Sequence, residues 1–340
     1  MKKNIKIAML DSGISSAFAL PEHVHFLGGH SFSYDYLSSS IVESSKIEDM
    51  NGHGTLCIST ILSQFTHIDF YILRMLSASG MTNEAVFLRA LEYAADTDAD
   101  VIAVCSSYIN GSSSDRIKAL CAEIHARKKI LVTSVRNGES VSEPACYDTV
   151  IGVRGGSMPD DKYYFCQERQ IQMQCATDSV LTTGLFGQRI QFQGTSRSAA
   201  LATAHIASAI FMHPDKKDDI ASLLAAGSCA ECEEIKSHGP DIYIRLPFDA
   251  HLEEQLAEND ENYVRLLYLL CDFFICEDPQ LIRTANLIDF KSRFFLRNSE
   301  VCLRSVEELF GITIRNPRSQ DLQYAYLFYD RIIKPLLNGG

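Results

Sequence analysis

The stretch QFQGTSRSAALATAHIASAIF, residues 191–211, joins a Gly-Thr-Ser corner to a long run of small apolar residues. The run predicts a helix whose alanines let it lie close against a neighbouring sheet. Ser196 stands at the mouth of this helix, where a serine side chain commonly serves as the N-cap. A helix N-terminus also presents unpaired N–H groups and a partial positive charge, which stabilise a developing anion. The position therefore admits either a capping or a chemical role for Ser196.

Short β-branched runs alternate with helical patterns from residue 5 to about residue 212. The strand-like runs are IKIAML (5–10), DFYILRM (69–75), DVIAVCS (100–106) and KILVTSV (129–135). Alternation of this kind predicts a parallel sheet with helices on both faces. Several runs are apolar almost throughout, as expected of strands buried on both faces. The predicted fold class is therefore α/β.

The chain of 340 residues is longer than one hydrophobic core usually supports, so we predict two domains. The α/β pattern weakens after about Asp215 into polar and Gly/Pro-rich sequence. Apolar residues then recur at helical spacing, from Tyr263 to Phe274 and again from Tyr324 to Ile332. We predict an α/β domain over residues 1–238 and a small, mainly helical domain over residues 239–340.

Charge and hydropathy exclude some partners. The net charge of −12 disfavours a general affinity for nucleic acid or anionic lipid, because both are polyanions. No apolar stretch reaches the roughly 20 uncharged residues that a membrane span requires. The expected partner is a peptide or protein substrate, with no nucleic acid and no membrane.

Cysteine usage indicates a reducing compartment. The chain has 11 cysteines, an odd number scattered through apolar segments, which suits buried thiols better than a disulfide framework. Cys229 and Cys232 form a lone Cys-x-x-Cys without a second pair at zinc-site spacing, so we interpret them as incidental. We expect a cytoplasmic protein with no cofactor and no bound metal.

Two further residues stand where the predicted strands end. Asp11 closes the first strand, at the sheet edge where open parallel sheets bind their ligands. An aspartate there could also cap a turn. His53 lies between two glycines at the start of a predicted helix, where the backbone permits close approach of a substrate. Each residue alone has an ordinary structural explanation, but the set Asp11, His53 and Ser196 in one sheet favours catalysis.

The order Asp, His, Ser, within Asp-Ser-Gly, Gly-His-Gly-Thr and Gly-Thr-Ser, resembles that of the subtilisin-like serine proteases, or subtilases. The resemblance covers residues 5 to about 212 and includes KILVTSVRNG (129–138), whose Asn137 matches the oxyanion asparagine of the family. It implies that Ser196 is the nucleophile, His53 the general base and Asp11 the residue that orients the imidazole. Asn137 and the Ser196 backbone N–H would stabilise the oxyanion.

The resemblance also implies two segments that bind an extended peptide. They comprise Cys105, Ser106 and Ser107 on one side and Ser134, Val135 and Arg136 on the other. Here Ser107 and Arg136 stand where the family generally has glycine, so a narrowed site and a restricted specificity are expected. Arg197, directly after the nucleophile, would add a positive charge at the leaving-group side. Together with Arg136, it could favour acidic groups near the scissile bond.

Three functions are compatible with this sequence. The first is a serine endopeptidase that processes intracellular peptides, for example by removing a leader peptide. The second is a peptide macrocyclase or transamidase on the same fold, in which an amine resolves the acyl-enzyme. The third is a peptide-binding protein that has lost catalysis. We expect the helical C-terminal domain to bind a precursor peptide or another partner.

Overall fold

The structure, a computed structural model, describes residues 3–35, 37–106, 114–158, 161–231, 246–274, 276, 278–288 and 294–339, with only the backbone of residues 294–298. The chain divides into two compact units. Unit 1 comprises Met1–Thr177, Thr183–Gly187 and Gln193–Asp241, and unit 2 comprises Asp178–Thr182, Gln188–Phe192 and Ile242–Gly340. The predicted boundary between residues 238 and 239 lies outside the described residues.

Unit 1 is built on one mostly parallel sheet. Its strands are β1 Ile5–Asp11, β2 Phe26–Asp35, β3 Ser40–Ser44, β4 Ile68–Arg74, β5 Val101–Val104, β6 Ile130–Ser134, β7 Ile151–Gly156, β8 Tyr163–Phe165 and β9 Met173–Ala176. They form a nine-stranded sheet in the order β3-β2-β4-β1-β5-β6-β7-β9-β8. Only the pairs β2–β3 and β8–β9 are antiparallel among the described pairs. The predicted parallel sheet is confirmed, with β1 near its centre.

Helices cover both faces of this sheet, as predicted. They are α1 His53–Gln64, α2 Glu84–Asp96, α3 Ser114–Ala126, α4 Thr195–Met212 and α5 Ile220–Ala226. Helices α2 and α3 share a core with Ala8 and Leu10 of β1. The alternate residues Ile7 and Met9 point to the other face and are equally buried. Helices α1 and α4 pack against each other.

Helix α4 is the helix predicted from the alanine-rich stretch that follows the Gly-Thr-Ser corner. Ala199, Ala200 and Ala202 are fully buried, as their small side chains allow. The Ser198 hydroxyl donates to the carbonyl oxygens of Cys175 at 3.2 Å and Ala176 at 2.9 Å, which ties the first turn of α4 to β9. The N-terminus of α4 is therefore held in a fixed position.

Unit 2 is mainly helical, as predicted for the C-terminal region. Its elements are the strands β10 Val180–Thr183, whose last residue belongs to unit 1, and β11 Arg189–Phe192, and the helices α6 Ala250–Asn259, α7 Glu261–Phe274, α8 Pro279–Thr284, α9 Phe294–Phe310, α10 Ala325–Phe328 and α11 Lys334–Asn338. Tyr263, Leu266, Leu270 and Phe274 of α7 are buried in the core of the unit. This burial confirms the helical spacing seen in the sequence.

Two findings concern the whole described chain. Ten of its cysteines are present as free thiols, while Cys232 lies outside the described residues. No helix among the described residues combines the length and the apolar character needed to cross a bilayer.

Candidate active site

Asp11 is the last residue of β1 and lies at the carboxyl edge of the sheet, with only 1% of its surface exposed. Its Oδ1 accepts a hydrogen bond from the Ser12 N–H at 2.8 Å and lies 2.7 Å from Nδ1 of His53. The Asp11 carbonyl oxygen accepts from the N–H groups of Met75 and Leu76. The side chain and the main chain of Asp11 are therefore both fixed by hydrogen bonds.

His53 is the first residue of α1, and the glycines on either side of it have separate structural causes. Gly52, the N-cap residue, has φ of 103°, a conformation that favours glycine. A Cβ at Gly54 would lie 2.3 Å from the carbonyl oxygen of Gly13, so this position has no room for a side chain. The Gly-His-Gly pattern thus turns the chain tightly into α1 and brings His53 against Asp11.

Asp49 stabilises this turn, although it is not among the residues predicted from the sequence. Its Oδ1 accepts from the N–H groups of Asn51 at 2.9 Å and Gly52 at 2.7 Å. Its Oδ2 accepts from Thr55 N–H at 2.9 Å and from the Thr55 hydroxyl at 2.7 Å. Burial raises the pKa of Asp49, but these hydrogen bonds outweigh it and the net pKa is lowered. An aspartate two residues before Asn-Gly is the signal that could have identified it.

The electrostatics at His53 favour its protonated form. Burial acts to lower the pKa of His53, but the charge and hydrogen bond of Asp11, with the charge of Asp49, raise it above the ordinary value. The carboxylate accepts from the Nδ1–H, which leaves Nε2 as the basic nitrogen. The pair is thus arranged to accept a proton and to stabilise the resulting imidazolium.

Ser196 is the second residue of α4 and is half-buried. The N-cap residue is Gly194, with φ of 90° and no side-chain cap, so Ser196 is not the N-cap. The alternative explanation of Ser196 as a cap is therefore wrong. Its hydroxyl lies on the first turn of a helix, where the N–H groups stabilise an anion.

Asn137 follows β6 and its side chain reaches the start of α4. Its Oδ1 accepts from the Thr195 N–H at 3.0 Å and from the Thr195 hydroxyl at 3.1 Å. A Cβ at Gly194 would lie 2.9 Å from the same oxygen, so a glycine there permits the contact. Because Oδ1 is held by the residue before Ser196, the Nδ2 amide group is oriented beside the turn that carries Ser196.

The structure therefore pairs Asp11 with His53, and Asn137 with the turn that carries Ser196. Helices α1 and α4, which begin with these two turns, are neighbours in unit 1. That Ser196 acts together with His53 stays a prediction.

The predicted peptide-binding segments present little side-chain surface. Cys105, Ser134 and Val135 are each at most 1% exposed. The Ser134 hydroxyl donates to the Cys105 carbonyl oxygen at 3.3 Å, which joins the two segments. Only the main chain of these three residues could reach a substrate. Ser106 is half-buried, and Ser107 lies outside the described residues.

The prediction that Arg197 adds charge to the substrate site is wrong. Arg197 is 1% exposed, and its guanidinium donates to Asp161 at 2.7 Å and to the Ala176 carbonyl oxygen at 3.1 Å. Arg136 is partly exposed but forms an ion pair with Glu139 at 2.6 Å. Arg197 is thus buried away from a substrate, and an exposed ion pair offsets part of the charge of Arg136, which weakens the basis for a preference for acidic substrates.

We expect Arg197→Ala to lower the free energy of unfolding by about 3–5 kcal/mol, because it removes a buried guanidinium that pairs with the largely buried Asp161 carboxylate and donates to the Ala176 carbonyl oxygen. The matched control is Arg136→Ala, which breaks an exposed pair worth about 0–1 kcal/mol. Urea denaturation of both variants measures the difference. Equal, small losses in both would contradict the structural role of Arg197.

A cavity of about 890 Å³ lies elsewhere in unit 1 and contains none of the predicted site residues. Its lining includes Lys129–Leu131 and Thr149–Ile151, at the amino ends of β6 and β7. The Asp11–His53 pair lies at the carboxyl edge of the sheet. The site is therefore defined by its chemistry and not by this cavity.

A parallel sheet with a buried Asp–His pair at its carboxyl edge, and a serine in the first turn of a buried helix, defines the class of subtilisin-like α/β proteins. Residues 2–224 match the model of the subtilase family, Peptidase S8, and the chain belongs to that family. Subtilisin DY from Bacillus licheniformis is 23% identical over 222 residues, a match that covers 61% of this chain and 75% of the relative. Family membership supports serine peptidase activity.

Proposed function

We propose that the protein is a serine endopeptidase that hydrolyses peptide bonds through an acyl-enzyme. Ser196 attacks the scissile carbonyl, and His53 accepts its proton and then delivers it to the leaving amine. Asp11 holds the imidazole in the required tautomer and stabilises the imidazolium. Asn137 Nδ2 and the Ser196 N–H donate to the oxyanion.

The observation that carries the proposal is the 2.7 Å hydrogen bond between buried Asp11 and half-buried His53. A buried carboxylate at Nδ1 both fixes the ring and raises the pKa of His53. The rigid turns at Gly52 and Gly194 support it, because they set His53 and Ser196 at the starts of neighbouring helices. Such preorganisation is what acyl transfer requires.

The experiment that tests the function combines labelling and product analysis. A fluorophosphonate should modify Ser196 in the native protein but not after heat denaturation. Mass spectrometry of cleaved peptides should then show the gain of one water per bond broken. A product without added water would favour the transamidase, and the absence of both labelling and cleavage would favour a binding protein.

We propose a restricted specificity, caused by bulk at the site and not by charge. Arg136 directly precedes Asn137, where the family generally has glycine, and its partly exposed side chain adds bulk beside that segment. The substrate class we propose is an intracellular peptide, such as a precursor that loses its leader, processed in the cytoplasm. The ten free thiols support that compartment. We assign recognition of a precursor to unit 2.

We expect Arg136→Gly to broaden the accepted peptides, because it removes the side chain that narrows the binding segment. Profiling a peptide library with native protein and variant measures the change, with Glu139→Gln as the control that breaks the ion pair but keeps the bulk. If Glu139→Gln broadens specificity as much as Arg136→Gly, charge and not bulk sets the preference.

Activity should rise with pH along a single ionisation whose midpoint lies above about 6.5, the ordinary value for histidine. The sign follows because only neutral His53 accepts a proton, while Asp11 and Asp49 raise its pKa. The dependence of kcat/KM on pH between about 5 and 9 measures it. A midpoint below the ordinary value, or a flat profile, would contradict His53 as the base.

A further inference from the structure

Cys57 lies one helical turn after His53, next to the Asp11–His53 pair, and has no part in the proposed mechanism. It follows His53 by four residues in α1, so the two side chains lie on the same face of the helix. Its Sγ is 3.8 Å from His53 Nδ1, and Cys57 is fully buried. One potential ligand atom from each of Asp11, His53 and Cys57 lies within 4.8 Å of the others.

Asp11 supplies a second, independent indication. Its Oδ2 is buried, yet it accepts no hydrogen bond from any residue in the described part of the chain. A buried carboxylate oxygen without a partner is unfavourable, because it has lost its hydration without gaining a hydrogen bond. A cation at this position would satisfy it. The orphan oxygen, the imidazole nitrogen and the thiol together offer oxygen, nitrogen and sulfur ligands.

We propose that Asp11, His53 Nδ1 and Cys57 Sγ form an inhibitory site for a divalent transition-metal ion, of which zinc fits the donor set best. Zinc accepts carboxylate, imidazole and thiolate ligands in tetrahedral geometry. Its bonds of about 2.0–2.3 Å place neighbouring ligand atoms roughly 3.3–3.6 Å apart. The separations of His53 Nδ1 from Asp11 Oδ1 and from Cys57 Sγ, 2.7 Å and 3.8 Å, bracket that range, and one ligand atom from each of the three residues lies within 4.8 Å of the others. Because the His53–Asp11 separation is below that range, admitting the ion requires the half-buried His53 ring to move away from Asp11.

A zinc ion at this site would inhibit catalysis by fixing the wrong tautomer of His53. This inhibition rests on the proposed function, in which His53 is the general base. Zinc on Nδ1 displaces the Asp11 hydrogen bond, and the single proton of the neutral ring then resides on Nε2. A protonated Nε2 cannot accept the proton of Ser196. Zinc therefore competes with general-base catalysis and leaves the peptide-binding segments unchanged.

Binding must release the thiol proton, because the thiolate is the ligand. Zn²⁺ forms a bond to the Cys57 sulfur, and the thiol proton is released to solution. If His53 is protonated before the ion binds, the imidazolium releases a second H⁺. Burial chiefly raises the pKa of Cys57, with contributions from neighbouring Cys105, Asp11 and Asp49.

Direct binding tests the site independently of peptidase activity. Cobalt(II), a spectroscopic substitute for zinc, should give a thiolate-to-cobalt charge-transfer band with the full-length protein. Zinc should displace it at one equivalent. Cys57→Ala and Cys57→Ser should abolish the band and weaken zinc binding at least about a hundredfold, while Cys121→Ala, at a buried thiol in α3, should retain both. An unchanged band in both Cys57 variants would overturn the proposal.

Activity measurements then test inhibition. Zinc should inhibit the native protein reversibly, with activity restored by a chelator, and Cys57→Ala should require at least about a hundredfold more zinc for the same inhibition. Equal zinc sensitivity of native protein and variant would overturn the inhibitory role. If the cobalt band is present but no form of the protein cleaves peptides, the metal site stands and the proposed function fails.

Discussion

Replacing Ser196 with alanine should lower kcat by about 10⁶-fold, the magnitude measured when subtilisin, a member of the same family, loses its nucleophile. Stability should be preserved. Gly194, and not Ser196, is the N-cap residue of α4, so the substitution removes no cap. Steady-state kinetics and urea denaturation of the variant measure the two quantities.

Ser198→Ala is the matched control, because it removes a hydroxyl from the same helical turn. The Ser198 side chain is buried and donates to Cys175 and Ala176, so its loss should cost about 1 kcal/mol of stability. We expect a far smaller loss of kcat than in Ser196→Ala. Comparable kcat values for the two variants would mean that Ser196 is not the nucleophile.

The sheet and its helices could be predicted because burial on both faces leaves a pattern that is local in sequence. Residues 5–10 and 129–135 are apolar with little alternation, and both contain buried strands. The alanines of α4 likewise indicate a buried helix. In each case the pattern lies within one stretch of chain, and no knowledge of its neighbours is needed.

Arg197 shows where neighbourhood in sequence misleads. Successive residues of a helix point about 100° apart, so the residue after a half-buried serine can face the interior. The sequence places Arg197 next to the predicted nucleophile, but its side chain turns inward to Asp161, 36 residues away in the chain. Asp161 is not marked by any motif. The prediction failed because it equated adjacency along the chain with adjacency in space.

Residues 178–192 show a second limit. The sequence assigns this lead-in to Ser196 to the first domain, but the structure groups most of it with unit 2. Leu181 is buried in the core of unit 2, and its N–H donates to the Pro317 carbonyl oxygen at 2.8 Å. The Ser319 N–H donates to the Ser179 carbonyl oxygen at 2.7 Å. A short strand pattern does not reveal which distant segment will be its partner.

Replacing Asp11 with asparagine should lower kcat by about 10⁴-fold, the magnitude found for the equivalent change in the chymotrypsin class. The cause is the tautomer: an amide donor facing Nδ1 favours the ring with its proton on Nε2, which cannot accept a proton from Ser196. The variant also loses the main influence that raises the pKa of His53 against burial. The pH midpoint of the residual activity should therefore fall, and the pH dependence of kcat/KM measures it.

Asp69→Asn is the control for Asp11→Asn, because it changes another aspartate that contacts a histidine. Asp69 lies 3.1 Å from His25 Nδ1 near the amino end of β4, the opposite edge of the sheet from Asp11. Its replacement should change neither kcat nor the pH midpoint. A lower kcat in Asp11→Asn with an unmoved midpoint would mean that Asp11 acts only by orienting the ring. An unchanged kcat in Asp11→Asn would mean that Asp11 has no part in catalysis. It would also contradict His53 as the base, because a buried carboxylate in contact with the base must affect proton transfer.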